Sequence, residues 1–229
     1  MQVNPNIPAF AYQPAPIVTV TRLCLVRHGE TAWNAERRIQ GQLDVPLSAV
    51  GHAQARATAN ALAQESFGAI HSSDLARALH TAEAAAHLLR LPVRREPGLR
   101  ERHYGVLQTL TYAEFAERHP QDFVRFRARE EDFALPGGGE SLRQFADRVH
   151  ACVDAIVAAY PGGQVLLFTH GGVLDVLHRR ASGRPLSARR DFEIPNTALN
   201  WLEVDRDAWR LLSWADRRHL GEALDELPG

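Results

Sequence analysis

Hydrophobic positions follow two rhythms along this chain of 229 residues. Over residues 141–160, apolar side chains recur every three or four positions and form one stripe, which predicts an amphipathic helix. The segments VTRLCLVRHG, GAIHSSD and QVLLFTH are short apolar runs that end in polar residues, and each predicts a buried strand. Further helices are predicted over residues 47–67, 75–91 and 171–181.

Local signals predict where these elements begin and end. Ser48 is predicted to cap the helix over residues 47–67, and either Ser73 or Asp74 is predicted to cap the helix over residues 75–91. Pro92 is predicted to end that second helix, since proline cannot continue the hydrogen-bond pattern. The segments TALNWLEV and WRLLSW, separated by DRDA, are typical of a hairpin of two strands.

Strands that alternate with helices predict an α/β fold. We expect a three-layer α/β/α sandwich with a mostly parallel sheet, which the closing hairpin makes mixed. Residues 1–18 form a proline-rich N-terminal arm without periodicity, and residues 19–229 are predicted to be a single domain. Residues 111–139, rich in aromatic and charged side chains, are predicted to form helices inserted over one edge of the sheet as a cap.

Composition excludes several classes of function. The formal net charge is -1, so no overall field attracts nucleic acid or an anionic membrane. All 26 basic residues are arginine, which excludes a Schiff-base lysine and a P-loop lysine. Cys24 and Cys152 lie in apolar stretches and are expected to be small buried hydrophobic residues, and no cysteine and histidine cluster suggests zinc. Without a recognisable signal peptide or membrane span, we expect a cytoplasmic protein.

Candidate chemistry lies where the predicted strands end. In an open α/β sheet, ligands bind beyond the carboxyl ends of the strands. The first strand ends in Arg27 and His28, a middle strand is followed by Arg77, and a late strand ends in His170. If these strands are neighbours, two arginines and two histidines meet at one rim.

Arginine and histidine together suggest phosphoryl transfer. One guanidinium group can bind two phosphate oxygens at once, and helix N-termini bind anions. A neutral imidazole is a competent nucleophile toward phosphorus. A single histidine at a strand end is more often an ordinary polar residue, and Arg77 taken alone is equally consistent with a solvated helix position. The combination leaves a phosphate site and these structural roles as open alternatives.

The segment LVRHGETAWN resembles the signature of the histidine phosphatase superfamily, which includes the cofactor-dependent phosphoglycerate mutases. The resemblance covers most of the chain from residue 22 onward and implies a phosphoglycerate mutase-like fold. Segments that match in the same order are RIQGQLDVPLSAVGHAQA, SSDLARALHTAE, LRERHYGVLQ, GGGESLRQFADRV, LFTHGGVLDVL and SWADRRHL.

The resemblance implies a role for each matching residue. His28 would be the nucleophile that becomes phosphohistidine, Glu101 the general acid toward the leaving oxygen, and His170 a group that stabilises charge in the transition state. No metal is expected. The implied phosphate contacts are Arg27, Arg77, Asn34, Thr31 and Gly171. The implied contacts with the rest of the substrate are Gln40, Gly41, Arg102 and Tyr104. Without the resemblance, Glu101 would be interpreted as a surface carboxylate.

Two reactions are compatible with this set of residues. We favour a phosphatase of small phosphomonoesters that needs no cofactor, because Thr109 and Tyr112 stand where the mutase pattern has glycine and lysine. The alternative is a phosphoglycerate mutase primed by 2,3-bisphosphoglycerate, in which Arg125, Arg127 and Arg129 would replace the paired arginines of the mutases. A non-catalytic phosphate-binding protein is the second alternative. The expected partner is a small phosphorylated metabolite, and a homodimer is left open.

Overall fold

A computed structural model describes residues 20–206 and 208–221 of the chain. The predicted arm, residues 1–18, lies outside the described residues. The centre of the fold is a six-stranded sheet with the strand order β3-β2-β4-β1-β5-β6. Its strands are β1 (Thr21–Arg27), β2 (Ala69–Ser72), β3 (Val93–Arg95), β4 (Gln164–Thr169), β5 (Leu199–Asp205) and β6 (Ala208–Asp216).

The sheet is mixed, as the sequence predicts. The strands β1, β2, β3 and β4 pair in parallel, whereas β5 runs antiparallel to both β1 and β6. The helices of the described part are α1 (Ala32–Ala35), α2 (Ala49–Leu62), α3 (Ala76–Leu89), α4 (Tyr112–Arg118), α5 (Pro120–Arg127), α6 (Leu142–Ala159) and α7 (Gly171–Ser182).

The central strands bury both of their faces. In β1, Leu23 and Leu25 pack with the apolar sides of α6 and α7, whereas Cys24 and Val26 pack with α2 and α3 on the opposite face. Successive side chains of a strand point to opposite faces, so an unbroken apolar run is what a doubly covered strand requires. The three-layer α/β/α arrangement is therefore confirmed.

The beginnings and ends of the helices follow local chemistry with two exceptions. Ser48 caps α2 as predicted, its hydroxyl accepting a hydrogen bond from the Gly51 amide at 3.0 Å. The predicted caps of α3 are wrong: Leu75 occupies the cap position, and Asp44, distant in sequence, accepts from the Ala76 amide at 2.7 Å. This helix also ends before Pro92, because Arg90 adopts a left-handed conformation with φ 54°.

The helices α4 and α5 lie within residues 111–139, which we call the cap segment. Its buried side chains, Phe115, Phe133 and Leu135, form a small separate core with Ile39, Leu107 and Leu110. The segment thus packs with loop residues rather than with the edge strands β3 and β6, because those loops offer the apolar surface that its aromatic side chains need. Across the described ranges 20–206 and 208–221, no helix combines the length and apolarity needed to cross a membrane.

Candidate active site

Three neighbouring parallel strands end at the same rim of the sheet and deliver the polar groups of the site. These strands are β2, β4 and β1, and they are followed by Ser73, His170 and His28. Backbone hydrogen bonds continue the sheet past the strand ends, from the His28 amide to the Thr169 carbonyl and from the Ser73 amide to the Phe168 carbonyl, both at 2.9 Å. The rings of His28 and His170 consequently lie 5.2 Å apart, centre to centre.

The orientation of His28 is fixed by its own backbone. Its Nδ1 lies 2.7 Å from the Gly29 carbonyl oxygen, which can only accept a hydrogen bond. Nδ1 therefore carries the proton, and in the neutral ring Nε2 keeps its lone pair. The side chain is 3% exposed, so little freedom remains for the ring to turn. His28 is arranged as a nucleophile through Nε2.

Both histidines are neutral in this environment. Burial, followed by the charges of Arg77 and Arg27, holds the pKa of His28 well below its ordinary value of 6.5. Burial, Arg77 and His28 lower the pKa of His170 in the same way. Both shifts disfavour the imidazolium form, because a buried cation near other cations is destabilised. An unprotonated nucleophile is therefore available at neutral pH.

The two arginines are held by backbone carbonyls. Arg77, 1% exposed, donates to the carbonyls of Gly41 and Leu43 at 2.7 and 2.8 Å. Arg27 donates to the Ile194 carbonyl at 2.7 Å. Burial lowers the pKa of Arg77 to about 10, so the group keeps its charge at pH 7. Two fixed positive charges thus lie beside two neutral imidazoles.

Two buried donors of this site are without a hydrogen-bond partner in the described part of the chain. They are Nδ1 of His170 and Nε of Arg77. Unpaired buried donors are uncommon and costly in folded proteins, by about 1–3 kcal/mol each, unless a ligand or a water molecule accepts from them. These two donors lie on a histidine and on one of the two arginines of the site. Together with the arginine charges, they indicate a site for an anion with several oxygens, such as a phosphoryl group.

The side chain of Glu101 lies beside the first turn of α7, close to His170. One carboxylate oxygen accepts from the Gly172 amide at 3.0 Å, and the other accepts from the Arg102 amide at 2.7 Å. Arg148 and Gln42 hold the backbone carbonyl of Glu101 in addition. The carboxyl group is therefore fixed at the edge of the site, where a leaving oxygen could receive its proton.

Two glycines are required by close packing rather than by the phosphate. A Cβ on Gly172 would collide with Oε1 of Glu101, so only glycine lets that carboxylate approach α7. A Cβ on Gly29 would lie 2.5 Å from the carbonyl oxygen of Gly51, at the start of α2. Gly171, one of the predicted phosphate contacts, is the first residue of α7, and a Cβ added there would lie an ordinary 3.6 Å from Arg27 Nε.

The other predicted phosphate contacts serve local structure here. Thr31 and Asn34 form the capping box of α1, in which the Asn34 side chain accepts from the amide and the hydroxyl of Thr31. Gln40 is buried and its Oε1 is without a partner in the described part, whereas the Gly41 carbonyl binds Arg77. Gly41 has φ 55°, the left-handed conformation that glycine tolerates best.

The predicted substrate contacts Arg102 and Tyr104 lie together beside the cap segment. Arg102 donates from Nε and Nη2 to the Glu140 carbonyl at 3.1 and 2.8 Å. Its guanidinium carbon lies 5.8 Å from the centre of the Tyr104 ring, and Tyr104 meets Phe126 of α5 edge to face. These residues join the rim of the site to the cap segment.

Sequence reasoning missed the segment from Ile194 to Thr197. The Asn196 side chain donates to the His28 carbonyl at 2.6 Å, and the Thr197 amide donates to the Arg27 carbonyl at 3.0 Å. Thr197 is buried with φ 55°, a conformation that is unusual for a β-branched residue. A Pro-Asn pair just before the predicted hairpin signals a turn, but nothing local shows that the turn reaches the nucleophile.

Arginine side chains supply the positive charge of the site. Arg27 and Arg77 approach it from the end of β1 and from the first turn of α3. Within residues 20–206 and 208–221, no group of three or more histidine, cysteine, aspartate or glutamate side chains could hold a metal ion.

A buried histidine pair flanked by arginines at the carboxyl ends of parallel strands defines a class of phosphate-handling α/β proteins. The chain belongs to the histidine phosphatase superfamily (branch 1), whose profile matches residues 23–217. The superfamily consists of phosphatases and mutases, so the protein is an enzyme of this group.

Individual relatives are similar over most of their length. The chain is 41% identical over 208 residues to phosphoglycerate mutase-like protein 4 of Arabidopsis thaliana, covering 90% of this chain and 89% of the relative. It is 40% identical over 203 residues to metal-independent phosphoserine phosphatase of the same plant, covering 88% and 84%. The structure of a mycobacterial glucosyl-3-phosphoglycerate phosphatase superposes with a TM-score of 0.78 at 32% identity, covering 86% of this chain and 100% of that one.

Proposed function

We propose that this protein is a phosphatase of small phosphomonoesters that works through a phosphohistidine at His28. The observation that carries the proposal is the orientation of the His28 ring. Its Nδ1 proton is committed to the Gly29 carbonyl, and Nε2 is left as a neutral nucleophile beside Arg27 and Arg77. A histidine buried only for packing would also need a partner for its N–H, but two guanidinium groups beside it would serve no purpose.

The proposed reaction has two steps. In the first, Nε2 of His28 attacks phosphorus, the bond from phosphorus to the ester oxygen breaks, and Glu101 gives its proton to the departing alcohol. In the second, water attacks the phosphohistidine while the Glu101 carboxylate takes a proton from it. The P–N bond breaks, inorganic phosphate leaves and His28 is neutral again. Arg27, Arg77 and His170 stabilise the phosphoryl oxygens in both steps.

Hydrolysis is favoured over mutase activity by what the cap segment does with its arginines. Arg125 pairs with Glu130 at 2.7 Å and lies over the Phe133 ring, and Arg129 pairs with Asp175 at 2.6 Å. Two of the three arginines that could hold the second charged group of a phosphoglycerate are thus engaged elsewhere. Tyr112, in place of the mutase lysine, adds no positive charge.

Phosphoglycerate mutase activity is the second candidate, since one relative is named phosphoglycerate mutase-like, and relatives from Yersinia and Salmonella at 35–36% identity are named probable phosphoglycerate mutases. Thr109 supports it, because this residue keeps φ 82°, a conformation suited to the glycine of the mutase pattern. In that case 2,3-bisphosphoglycerate would be needed to prime His28. For the favoured reaction we propose neither a metal nor a cofactor, a small phosphorylated metabolite as substrate, and a cytoplasmic location.

The deciding experiment supplies the purified protein with phosphate esters and follows both fates of the phosphoryl group. The panel contains p-nitrophenyl phosphate, phosphoserine and 3-phosphoglycerate, each with excess EDTA, and the 3-phosphoglycerate is supplied with and without 2,3-bisphosphoglycerate as primer. We expect release of inorganic phosphate that EDTA does not suppress. Rapid conversion of 3-phosphoglycerate into 2-phosphoglycerate without free phosphate would establish the mutase instead, and a strict metal requirement would contradict the proposed site.

A further inference from the structure

Ser73 contacts the second histidine of the site, and the proposed reaction assigns it no role. Its Oγ lies 2.8 Å from Nε2 of His170, and both side chains are 0% exposed. The contact joins the ends of two neighbouring parallel strands, β2 and β4. Because a hydroxyl can either donate to an imidazole nitrogen or accept from it, the direction of this hydrogen bond decides where His170 holds its proton.

The surroundings of Ser73 determine that direction. The Leu75 amide donates to Oγ at 3.3 Å and therefore cannot receive the hydroxyl proton. Among the described residues, Nε2 of His170 is the one acceptor with which Oγ forms a hydrogen bond, and full burial keeps bulk water away. If Nε2 donated instead, the hydroxyl proton and the lone pair of Nδ1 would both be unpaired, whereas Ser73 as donor leaves only the Nδ1–H, which an anionic ligand can accept. Ser73 is therefore the donor, and Nε2 is unprotonated.

The remaining proton of the ring then lies on Nδ1. Burial and the charge of Arg77 keep the pKa of His170 well below 6.5, so the ring is neutral and carries a single proton. Nδ1 is buried and has no hydrogen-bond partner in the part of the chain that the structure describes. Its N–H is thus a free donor within the site, where the ring centres of His170 and His28 lie 5.2 Å apart.

We infer that Ser73 is a positioning residue that fixes the tautomer of His170 and turns its Nδ1–H toward the phosphoryl group. The two histidines then hold their proton on the same nitrogen but present opposite sides to the substrate. His28 presents the lone pair of Nε2, whereas His170 presents the N–H of Nδ1. A donor of this kind stabilises the phosphoryl oxygens as charge develops on them, and His170 in the other tautomer would present a lone pair and repel them.

The tautomer can be measured on the wild-type protein without substrate. Long-range proton–nitrogen correlation spectra of the ¹⁵N-labelled histidine rings distinguish a protonated Nδ1 from a protonated Nε2, and a His170→Gln variant identifies the signals of His170. We expect Nδ1 to be protonated and Nε2 to be bare. The opposite assignment would overturn the inference, whatever any variant does.

The matched variants are Ser73→Ala and Ser72→Ala. Ser72 is the neighbouring buried serine, and its hydroxyl donates to the Ser73 carbonyl rather than to His170. We expect Ser73→Ala to shift His170 toward the Nε2–H tautomer and to lower kcat and the affinity for orthovanadate roughly ten- to hundredfold, by analogy with the groups that orient the histidine ligands of metal sites. Ser73→Thr, which keeps the hydroxyl, should retain the Nδ1–H tautomer, and Ser72→Ala should leave the tautomer unchanged.

A purely structural role would produce a different pattern. Ser73→Ala and Ser72→Ala would then lower the melting temperature alike, with the His170 tautomer of the wild type in both, and that result would refute the inference. The inference rests on the proposed phosphatase function, but the two fail separately. If the wild type released no phosphate, the proposed function would be wrong, whereas the tautomer is measured on the free protein.

Discussion

The floor of the candidate active site and the cap segment are built by different means. The floor, formed by Arg27, His28, Arg77 and His170, lies at and just beyond the ends of parallel strands and is held by hydrogen bonds to backbone carbonyls or to a buried serine. The cap segment has its own small core. Outside this core, two side chains connect the cap segment to α7 and to the loop after α7. Arg129 pairs with Asp175 at 2.6 Å, and Glu131 accepts a hydrogen bond from the Ser187 amide at 3.2 Å.

Exposure differs in the same way. The histidines of the floor are 0–3% exposed, whereas Tyr112 and Val124 of the cap segment are 48% and 66% exposed. Charge-stabilising groups act strongly where water is excluded and their positions are fixed in advance. Exposed aromatic and apolar side chains of the cap segment are available to contact the variable part of a substrate. The difference suggests that the floor supplies the chemistry and the cap segment the choice of substrate.

Removal of the nucleophile should have the largest effect. We expect His28→Ala to lower kcat toward p-nitrophenyl phosphate by about 10⁴-fold or more, as is usual when a covalent nucleophile is lost. Tyr112→Ala, in the cap segment, should retain most of this activity. Steady-state kinetics on both variants, with His52→Ala as an exposed-histidine control, measures the contrast. Full activity in His28→Ala would refute the proposed mechanism.

Glu101→Gln should come next, and its effect should depend on the leaving group. Loss of a general acid costs about 10²–10⁴-fold when the departing oxygen needs a proton, as in alkyl phosphates. p-Nitrophenolate leaves without one, so the variant should keep a far larger share of kcat/KM, which reports the first step, toward p-nitrophenyl phosphate. The control is Glu117→Gln, an exposed carboxylate of the cap segment. An equal loss of kcat/KM with both substrates would argue against an acid role for Glu101, whereas an equal loss of kcat reflects its role as base in the shared second step.

The buried floor also predicts a loss of stability in mild acid. His28 has a lowered pKa in the folded state, so below pH 6.5 the unfolded chain binds a proton that the folded chain does not. The free energy of unfolding should therefore fall as the pH drops below 6.5 toward the folded-state pKa, by up to about 1.4 kcal/mol per pH unit for this histidine.

Urea unfolding at about pH 7.5, 6.5 and 5.5, a range centred on the ordinary pKa of histidine, measures this slope. His28→Gln should show a shallower decline than the wild type, whereas His87→Gln, an exposed histidine of α3, should not. An identical decline in the wild type and His28→Gln would mean that His28 is not held neutral by burial.

The smallest effect is expected from the connection between the cap segment and α7. Arg129→Ala removes one partner of Asp175, and the carboxylate still forms an ion pair with Arg179 at 3.0 Å. A partly exposed ion pair contributes about 1 kcal/mol, equivalent to roughly fivefold in KM. We expect such a change in KM for phosphoserine with kcat retained, and no change in Arg118→Ala, whose side chain is 59% exposed. A large loss of kcat in Arg129→Ala would place the cap segment within the chemistry.

The sequence predicts the floor well because strand ends are a local property. Apolar runs that stop at Arg27 and at Thr169 define β1 and β4, and parallel pairing then brings the next residues of both segments to one rim. The strand β3 escapes prediction because it has three residues and exposes Arg94 and Arg95, so it carries no apolar pattern.

The supporting contacts could not be predicted, because they join distant residues. Asp44 caps α3 across 32 residues, and Asn196 reaches the His28 carbonyl across 168. Ser73 is a reasonable candidate for a helix cap in the sequence, and only the adjacency of β2 and β4 shows that its hydroxyl bonds to His170. Short-range patterns specify the elements, and tertiary packing specifies which polar group supports which.

The central claim, a phosphoryl group carried by His28, can be tested by direct observation of the intermediate. The protein is mixed with p-nitrophenyl phosphate and quenched in alkali within one turnover, and its peptides are analysed by mass spectrometry. We expect one acid-labile phosphoryl group on the peptide that contains His28, and none on the same peptide from His28→Ala. Turnover without that phosphopeptide, or a phosphoryl group on another residue, would contradict the account.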